Sequence, residues 1–474
     1  MNLGAGIINN SKIKSRLTQL GFKEFLTVFL CFCALLLIEL CVGEVYNINL
    51  LVLFTYSVFL ILIYIRDIKF FVEFFWVIIL FTLNIVGVYI CDEGCNLTEL
   101  QVYSYYCGAL APLVFSYILF FGVVELYRLK KKKIDEEYHL SISESKLLQF
   151  LVILGFVIEI YLLSQVITHP YFIVGELRLG YAQQYMSSFA VSLRTYLPMF
   201  IPIFLLLWKS GKRIVPILFF FLMLIFYFCE GDKFGTYLFA AYIMTLCIVQ
   251  SISIEAQKKV IKAVFLLFCI LILVVYIQRV LIFSSDTNAV LQYLFERLSQ
   301  QGEVWWSVYS QTKTSPLNID EFGDELYILF ANMPISNYSD YGQWKMMSVA
   351  AHYSSNSQYR ILIGNPYTAT TTATVFYYFK WAGLVLFYII APAIYAAVIS
   401  NAMKAFSVGW ILESMIYVKL ISILNTVLTA SNIESLVSFA GIFYIFALVC
   451  LTLLRQIGKL NYSKKPQIKT KSGV

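Results

Sequence analysis

The amino-acid sequence predicts an all-α polytopic membrane helix bundle of about twelve transmembrane helices, and three observations predict it. The chain of 474 residues is 60% hydrophobic and 17% aromatic but only 13% charged, a balance foreign to a water-soluble globule of this length. Its apolar residues fall into about twelve runs of roughly 16 to 25 residues, the length a helix needs to cross a hydrocarbon core. Every second connection between those runs carries Lys or Arg, while the intervening ones are short, acidic or polar, which is the bias that orients a chain in a bilayer.

The runs follow one another in a regular order. The first, 25 to 43, lies behind Lys12, Lys14, Arg16 and Lys23 and lacks a small-residue cleavage site, so it is expected to stay as a helix. Runs 47 to 65 and 70 to 91 enclose Arg66 and Lys69, and run 103 to 127 leads into Arg128, Lys130, Lys131, Lys132 and Lys133 before run 147 to 167. Runs 190 to 208 and 214 to 229 enclose Lys209, Lys212 and Arg213, and runs 234 to 250 and 263 to 283 enclose Lys258, Lys259 and Lys262. Runs 376 to 400 and 410 to 430 flank Lys404, and run 433 to 454 ends in a basic tail, 455 to 474. Placing these basic connections on the cytoplasmic side puts both termini there. The opposite face then receives the connection 92 to 102, a first loop over 168 to 194, a short turn around Gly231, and a large, partly helical loop over 284 to 375. The chain is thus one integral membrane domain, 1 to 474. Its formal charge of +7 is spent on orientation, so nucleic acid is not an expected partner.

Two outer loops are long enough to hold chemistry. The first reads Gly175-Glu176-Leu177-Arg178-Leu179-Gly180-Tyr181 and ends at Arg194. The second opens with an amphipathic stretch (Leu291, Leu294, Phe295, Leu298, Val304, Trp305) whose spacing suits a helix on the membrane surface or on the bundle. Arg178, Arg194, Lys233, Arg279, Arg297 and Arg360 are cations at or near the outer boundary, against the usual inward bias. Each has a plain reading as a snorkelling anchor; together they suit a diphosphate at headgroup level, whose oxygens a guanidinium grips in pairs. The turn Gly231-Asp232-Lys233 and the stretch Asn365-Pro366 to Thr372 each open a span, so both helices are expected to aim amide groups outward, as an anion site or as ordinary capping by Thr and Asp.

Other features bound the chemistry. Glu39, Glu159 and Lys419 interrupt apolar runs, and interhelical ion pairs are the expected reason. Cys91 and Cys95 flank Asp92, Glu93 and Gly94, a spacing tight for a disulfide. The sequence carries no phosphate loop before Lys-Ser or Lys-Thr, no His-Glu-x-x-His pattern and no nucleophile elbow, so a site built on cations, without metal or cofactor, is expected. Trp305, Trp306, Tyr309, Tyr338, Tyr341 and Trp344 read mainly as interface anchors, with sugar stacking as the alternative.

The layout resembles the Wzy-type polymerases of oligosaccharide repeat units, which act in O-antigen, enterobacterial common antigen and capsule synthesis and carry two unequal periplasmic loops in a bundle of ten to fourteen helices. The residues that bear the likeness are Glu176 to Tyr181 ahead of Arg194, the Gly231-Asp232-Lys233 turn where relatives often have Gly-x-Arg, and the stretch Gly364-Asn365-Pro366 to Thr374. The resemblance implies a GT-C-like bundle in a bacterial inner membrane. It implies a glycosyltransferase that moves a growing chain from one undecaprenyl diphosphate onto the oligosaccharide of another, beside a flippase and a chain-length regulator. Under it, Arg178, Lys233 and Arg360 would bind the diphosphate with Arg194 and Arg297 in support, and His352 or Glu303 would serve as base. A lipid-linked oligosaccharide flippase, an O-antigen ligase and a structural membrane protein are the alternatives.

Overall fold

The computed structural model describes residues 22–42, 47–94, 105–130, 142–174, 178–231, 235–250, 252–283, 287–331, 342–351, 370–430 and 438–463, and no strand occurs among them. The helices are α1 (Phe22–Val42), α2 (Asn49–Arg66), α3 (Ile68–Asp92), α4 (Leu110–Lys130), α5 (Ile142–Val166), α6 (Arg178–Tyr185) and α7 (Ser188–Arg194). They continue as α8 (Ile201–Lys209), α9 (Ile214–Glu230), α10 (Gly235–Ile248), α11 (Ile254–Phe283), α12 (Thr287–Ser299), α13 (Glu303–Thr312), α14 (Ile319–Ala331) and α15 (Gly342–Ala350). The last three are α16 (Thr371–Val408), α17 (Ile411–Ala430) and α18 (Phe439–Ser463). Six of them, α2, α3, α4, α5, α16 and α17, hold a stretch long and apolar enough to cross a membrane, and α7 with the segment Leu197–Lys209 forms a seventh, bent by 43°. Apolar side chains cover much of the outside, for example Leu50, Phe54, Ile153, Phe265 and Phe446, as lipid contact requires.

The centre is built by α3, α4, α16 and α17, which pack on one another. Phe81 stacks on Tyr117 with ring centroids 3.7 Å apart. Polar groups in this interior find partners: the Asn84 amide donates to the Tyr117 hydroxyl at 3.0 Å, the Tyr242 hydroxyl to the Glu73 carbonyl at 2.8 Å, and the Tyr395 hydroxyl to Asn425 Oδ1 at 2.8 Å. Leaving such groups unpaired in hydrocarbon costs several kcal/mol each, so these bonds select one packing.

At the basic end of the bundle, Arg128 is more than a mark of orientation. Its guanidinium meets Asp67 at 2.9 Å, Glu73 at 3.0 Å and Glu125 at 2.8 Å, with the Phe70 ring 5.0 Å from its centre. Asp67 also caps α3 by accepting from the Phe70 amide at 2.9 Å. One cation therefore fastens the start of α3 to the end of α4, and removing it would leave buried Asp67 and Glu125 without a counter-charge and Glu73 with Lys69 alone, 3.7 Å away.

At the far end the amphipathic stretch is two helices rather than one. α12 ends at Ser299, and α13 begins after Gly302, driven into the bundle. A Cβ on Gly302 would sit 2.1 Å from the Val88 amide, and one on Gly87 would sit 2.5 Å from the Gly302 amide, so backbone meets backbone there. Behind that contact Trp305 and Trp306 are wholly buried. Their indole N–H groups donate to the Ala109 carbonyl at 2.8 Å and to Asp92 Oδ1 at 3.0 Å. Asp92 also accepts from the Cys107 and Leu110 amides. The expected interface anchors Trp305, Trp306 and Tyr309 are thus core residues; the surface reading failed because Gly302 lets α13 approach closely enough to be covered. Tyr338 and Tyr341, and the Trp344 side chain, lie outside the described residues.

A second correction concerns the run 376 to 400. Its helix starts at Thr371 and is interrupted at Lys380, the one non-glycine residue with positive φ among the described residues (φ 51°, ψ −143°). Thr372 hydrogen-bonds the Tyr388 hydroxyl across sixteen residues, which in a straight helix would be about 24 Å apart, so the chain folds back at Lys380. Lys380 Nζ donates to the Thr312 carbonyl at 3.1 Å, placing its charge on the C-terminal end of α13. The N-terminus of α16 therefore does not aim amides outward. Thr370 caps it, and Thr371 bonds to the Val427 carbonyl inside the bundle.

Candidate functional site: a cationic break in a membrane helix

The run 190 to 208 is broken because of its prolines. Pro198 and Pro202 have no amide to return to the carbonyls four residues earlier, so α7 stops at Arg194 and Thr195-Tyr196 turns the chain before the segment Leu197–Lys209 resumes. Ser187 sets the start of α7, its hydroxyl accepting from the Ala190 amide at 3.1 Å.

Two cations meet at this break. Arg194 pairs with Glu230, the last residue of α9. Lys419, near the middle of α17, donates to Thr195 Oγ1 at 3.3 Å and lies 4.8 Å from the centre of the Tyr196 ring. Among the described residues the interhelical ion pair expected of Lys419 is not found, and a hydroxyl and a ring face engage it instead. Glu39, the second of the three intramembrane charges, accepts from the Tyr106 hydroxyl at 2.7 Å. Glu159, the third, is completely buried on α5, and among the described residues neither of its oxygens has a hydrogen-bond partner. Tyr227, one turn before the end of α9, lies within electrostatic reach of both Glu159 and Arg194.

The neighbouring helices are short. α9 has 17 residues and α10 has 14, about 25 and 21 Å of helix against a hydrocarbon core of about 30 Å, and a turn opens at Gly231 directly after α9. Gly231 makes that turn in the left-handed region (φ 77°), and a Cβ there would strike the Tyr171 ring at 2.3 Å. Tyr171 packs edge-on against Tyr181 with centroids 5.7 Å apart, and the Tyr181 hydroxyl donates to the His169 carbonyl at 2.8 Å. Burial pushes the Tyr181 phenol up to about 12, so it remains a donor. This aromatic train sets the first loop over the end of α9, with Arg178 opening α6 one helical turn before Tyr181.

The residues singled out in the sequence distribute unevenly around this break. Arg194 is at its centre. The Arg178 side chain, Lys233, His352 and Arg360 lie outside the described residues. Arg297 stays on exposed α12, donating to the Tyr293 hydroxyl at 3.0 Å and to Gln300 Oε1 at 2.7 Å. Glu303 is a buried first-turn residue of α13. Lys419 was noted for its depth but not for its place, whose signal was the pair of prolines four residues apart directly after Arg194-Thr195-Tyr196. Among the described residues no group of three His, Cys, Asp or Glu is placed to hold a metal ion. No family model, curated protein or solved structure matches the chain.

Chemically, the break offers a guanidinium, an ammonium, a hydroxyl and phenols at one level of an otherwise apolar bundle, with a carboxylate holding the guanidinium. Such a set suits a compact oxyanion carried on a lipid.

Proposed function

We propose that the chain is a polyprenyl-diphosphate-dependent glycosyltransferase, a twelve-span, GT-C-like polymerase of oligosaccharide repeat units in a bacterial inner membrane, with its basic end cytoplasmic. The observation that carries this reading is the helix break itself, where Arg194 and Lys419 gather around Thr195 and Tyr196 beside the end of α9. A diphosphate drawn from the headgroup level down to this break would meet both cations while its prenyl chain stayed in hydrocarbon. The leaving group is then the diphosphate, and cations that bear its growing charge lower the barrier without a nucleotide or a metal. Arg178 and Lys233 are assigned to the same oxyanion on the strength of the resemblance, and Arg360, Arg297, His352 and Glu303 likewise keep only the roles it implies.

A flippase for lipid-linked oligosaccharides is the second reading, favoured by one observation. Lys419 is eight residues, about 12 Å, from the basic end of α17, which is deeper than a one-sided transferase requires. Deletion of the gene separates the two: single repeat units on finished glycolipid indicate a lost polymerase, and loss of externally exposed units indicates a lost flippase. Purified protein supplied with lipid-linked repeat units is expected to elongate them in excess chelator. Failure to elongate in every metal condition overturns the transferase reading.

A further inference from the structure

The pairing of Arg194 with Glu230 sets a condition on any anion that enters the break. Glu230 is 1% exposed, and among the described residues its carboxylate has Arg194 as its one partner, because Lys419 is engaged by Thr195 and Tyr196. An incoming oxyanion that draws Arg194 away leaves a buried carboxylate without a counter-charge. That state costs several kcal/mol, and the group escapes it by binding a proton. Among the described residues no second cation pairs with Glu230. Glu159 faces this region from α5, and among the described residues neither of its oxygens has a hydrogen-bond partner. The other titratable groups described around the end of α9 are Tyr227 and Cys229 on the helix itself, Tyr237 on α10, and His169, Tyr171, Tyr181 and Tyr185 from the first loop.

We infer that the break is a proton-coupled diphosphate site: a prenyl diphosphate headgroup takes Arg194 from Glu230, and Glu230 takes up one proton as it binds. This rests on the diphosphate reading above. The balance is simple, since one anion and one proton enter, Glu230 changes from carboxylate to acid, and no covalent bond is made. Since binding raises the proton affinity of Glu230, diphosphate affinity rises as pH falls, until Glu230 is protonated in the free protein as well.

The test titrates the full chain in detergent micelles with geranyl diphosphate between pH 6.5 and 8.5, by calorimetry in buffers of different ionisation heat. Wild type is expected to take up about one proton more per ligand than Glu230→Gln, whose own proton count reports the ligand's titration alone. Its affinity is expected to change by about tenfold per pH unit beyond that of the variant. Glu230→Gln is also expected to bind more tightly than wild type at pH 8.5, because Arg194 is already released. Glu159→Gln is expected to keep the wild-type proton count. Inorganic diphosphate is expected to bind more weakly than geranyl diphosphate; the opposite order overturns a lipid source for the headgroup. Equal proton counts in wild type and Glu230→Gln, with binding intact, overturn the proton coupling and leave the diphosphate site standing. Absence of binding by wild type overturns both.

Discussion

Replacing Gly302 by alanine tests the far end of the bundle most directly. The added Cβ would lie 2.1 Å from the Val88 amide nitrogen and 2.4 Å from the Gly87 carbonyl carbon, both backbone atoms of α3. Ordinary contact begins at 3.4 Å, so α13 must withdraw by more than an ångström. The indole bonds to Asp92 at 3.0 Å and Ala109 at 2.8 Å do not survive such a shift. Loss of a bond to a carboxylate costs about 1.5 to 3 kcal/mol and of a neutral bond about 1 kcal/mol. Overpacking adds about 1 to 3 kcal/mol. The sum, about 5 kcal/mol, corresponds to a fall of about 5 °C in Tm on the entropy scale of a chain this long. Thermal unfolding in detergent measures it, and tryptophan emission is expected to move to the red as Trp305 and Trp306 meet water. Gly323→Ala serves as the control, because a Cβ there meets nothing within 4 Å, and alanine inside α14 is expected to be neutral or slightly stabilising. A Gly302→Ala protein with the Tm and emission of wild type would refute the close packing of α13 on α3.

Two further outcomes are expected. A single cysteine placed near Asp320 should react with an impermeant thiol reagent in cells whose outer membrane is permeable, and protection there would reverse the assigned orientation. Arg178→Ala should reduce chain extension by roughly a hundredfold or more at normal protein abundance, as loss of one charge-assisted contact to a leaving diphosphate costs about 2 to 4 kcal/mol. Arg178→Lys should recover part of the activity, since it keeps the charge but not the planar fork; a normal long-chain ladder from the alanine variant would remove Arg178 from the site.

What the sequence disclosed followed from rules that act along the chain. Apolar run length located helical segments in the expected runs, because hydrocarbon tolerates little else, although 190 to 208 is bent and 376 to 400 belongs to a helix interrupted at Lys380. What it concealed depended on contacts between distant segments. Arg128 reads as one more inward basic residue until Asp67, Glu73 and Glu125 converge on it. Trp305 and Trp306 read as interface residues until Gly87 and Gly302 bring two backbones together. At the candidate site, the prolines at 198 and 202 were visible signals of a break, whereas the meeting of Lys419 with Thr195 spans 224 residues and leaves no local trace.

The reversal at Lys380 bears on how the protein is assembled. A translocon selects segments by their hydrophobicity, and residues 381 to 408 alone give 28 residues of helix, about 42 Å, enough to be taken into the bilayer as one unit. The nine residues from Thr371 to Phe379 need no passage of their own. The Thr372 hydroxyl is engaged by Tyr388 and the Thr371 hydroxyl by the Val427 carbonyl, and Val427 belongs to the next helix to be synthesised. This threonine arm can therefore reach its place only after α17 has emerged and inserted, which makes its docking a late event in biogenesis and places the completed far side of the bundle under the control of a helix made after it.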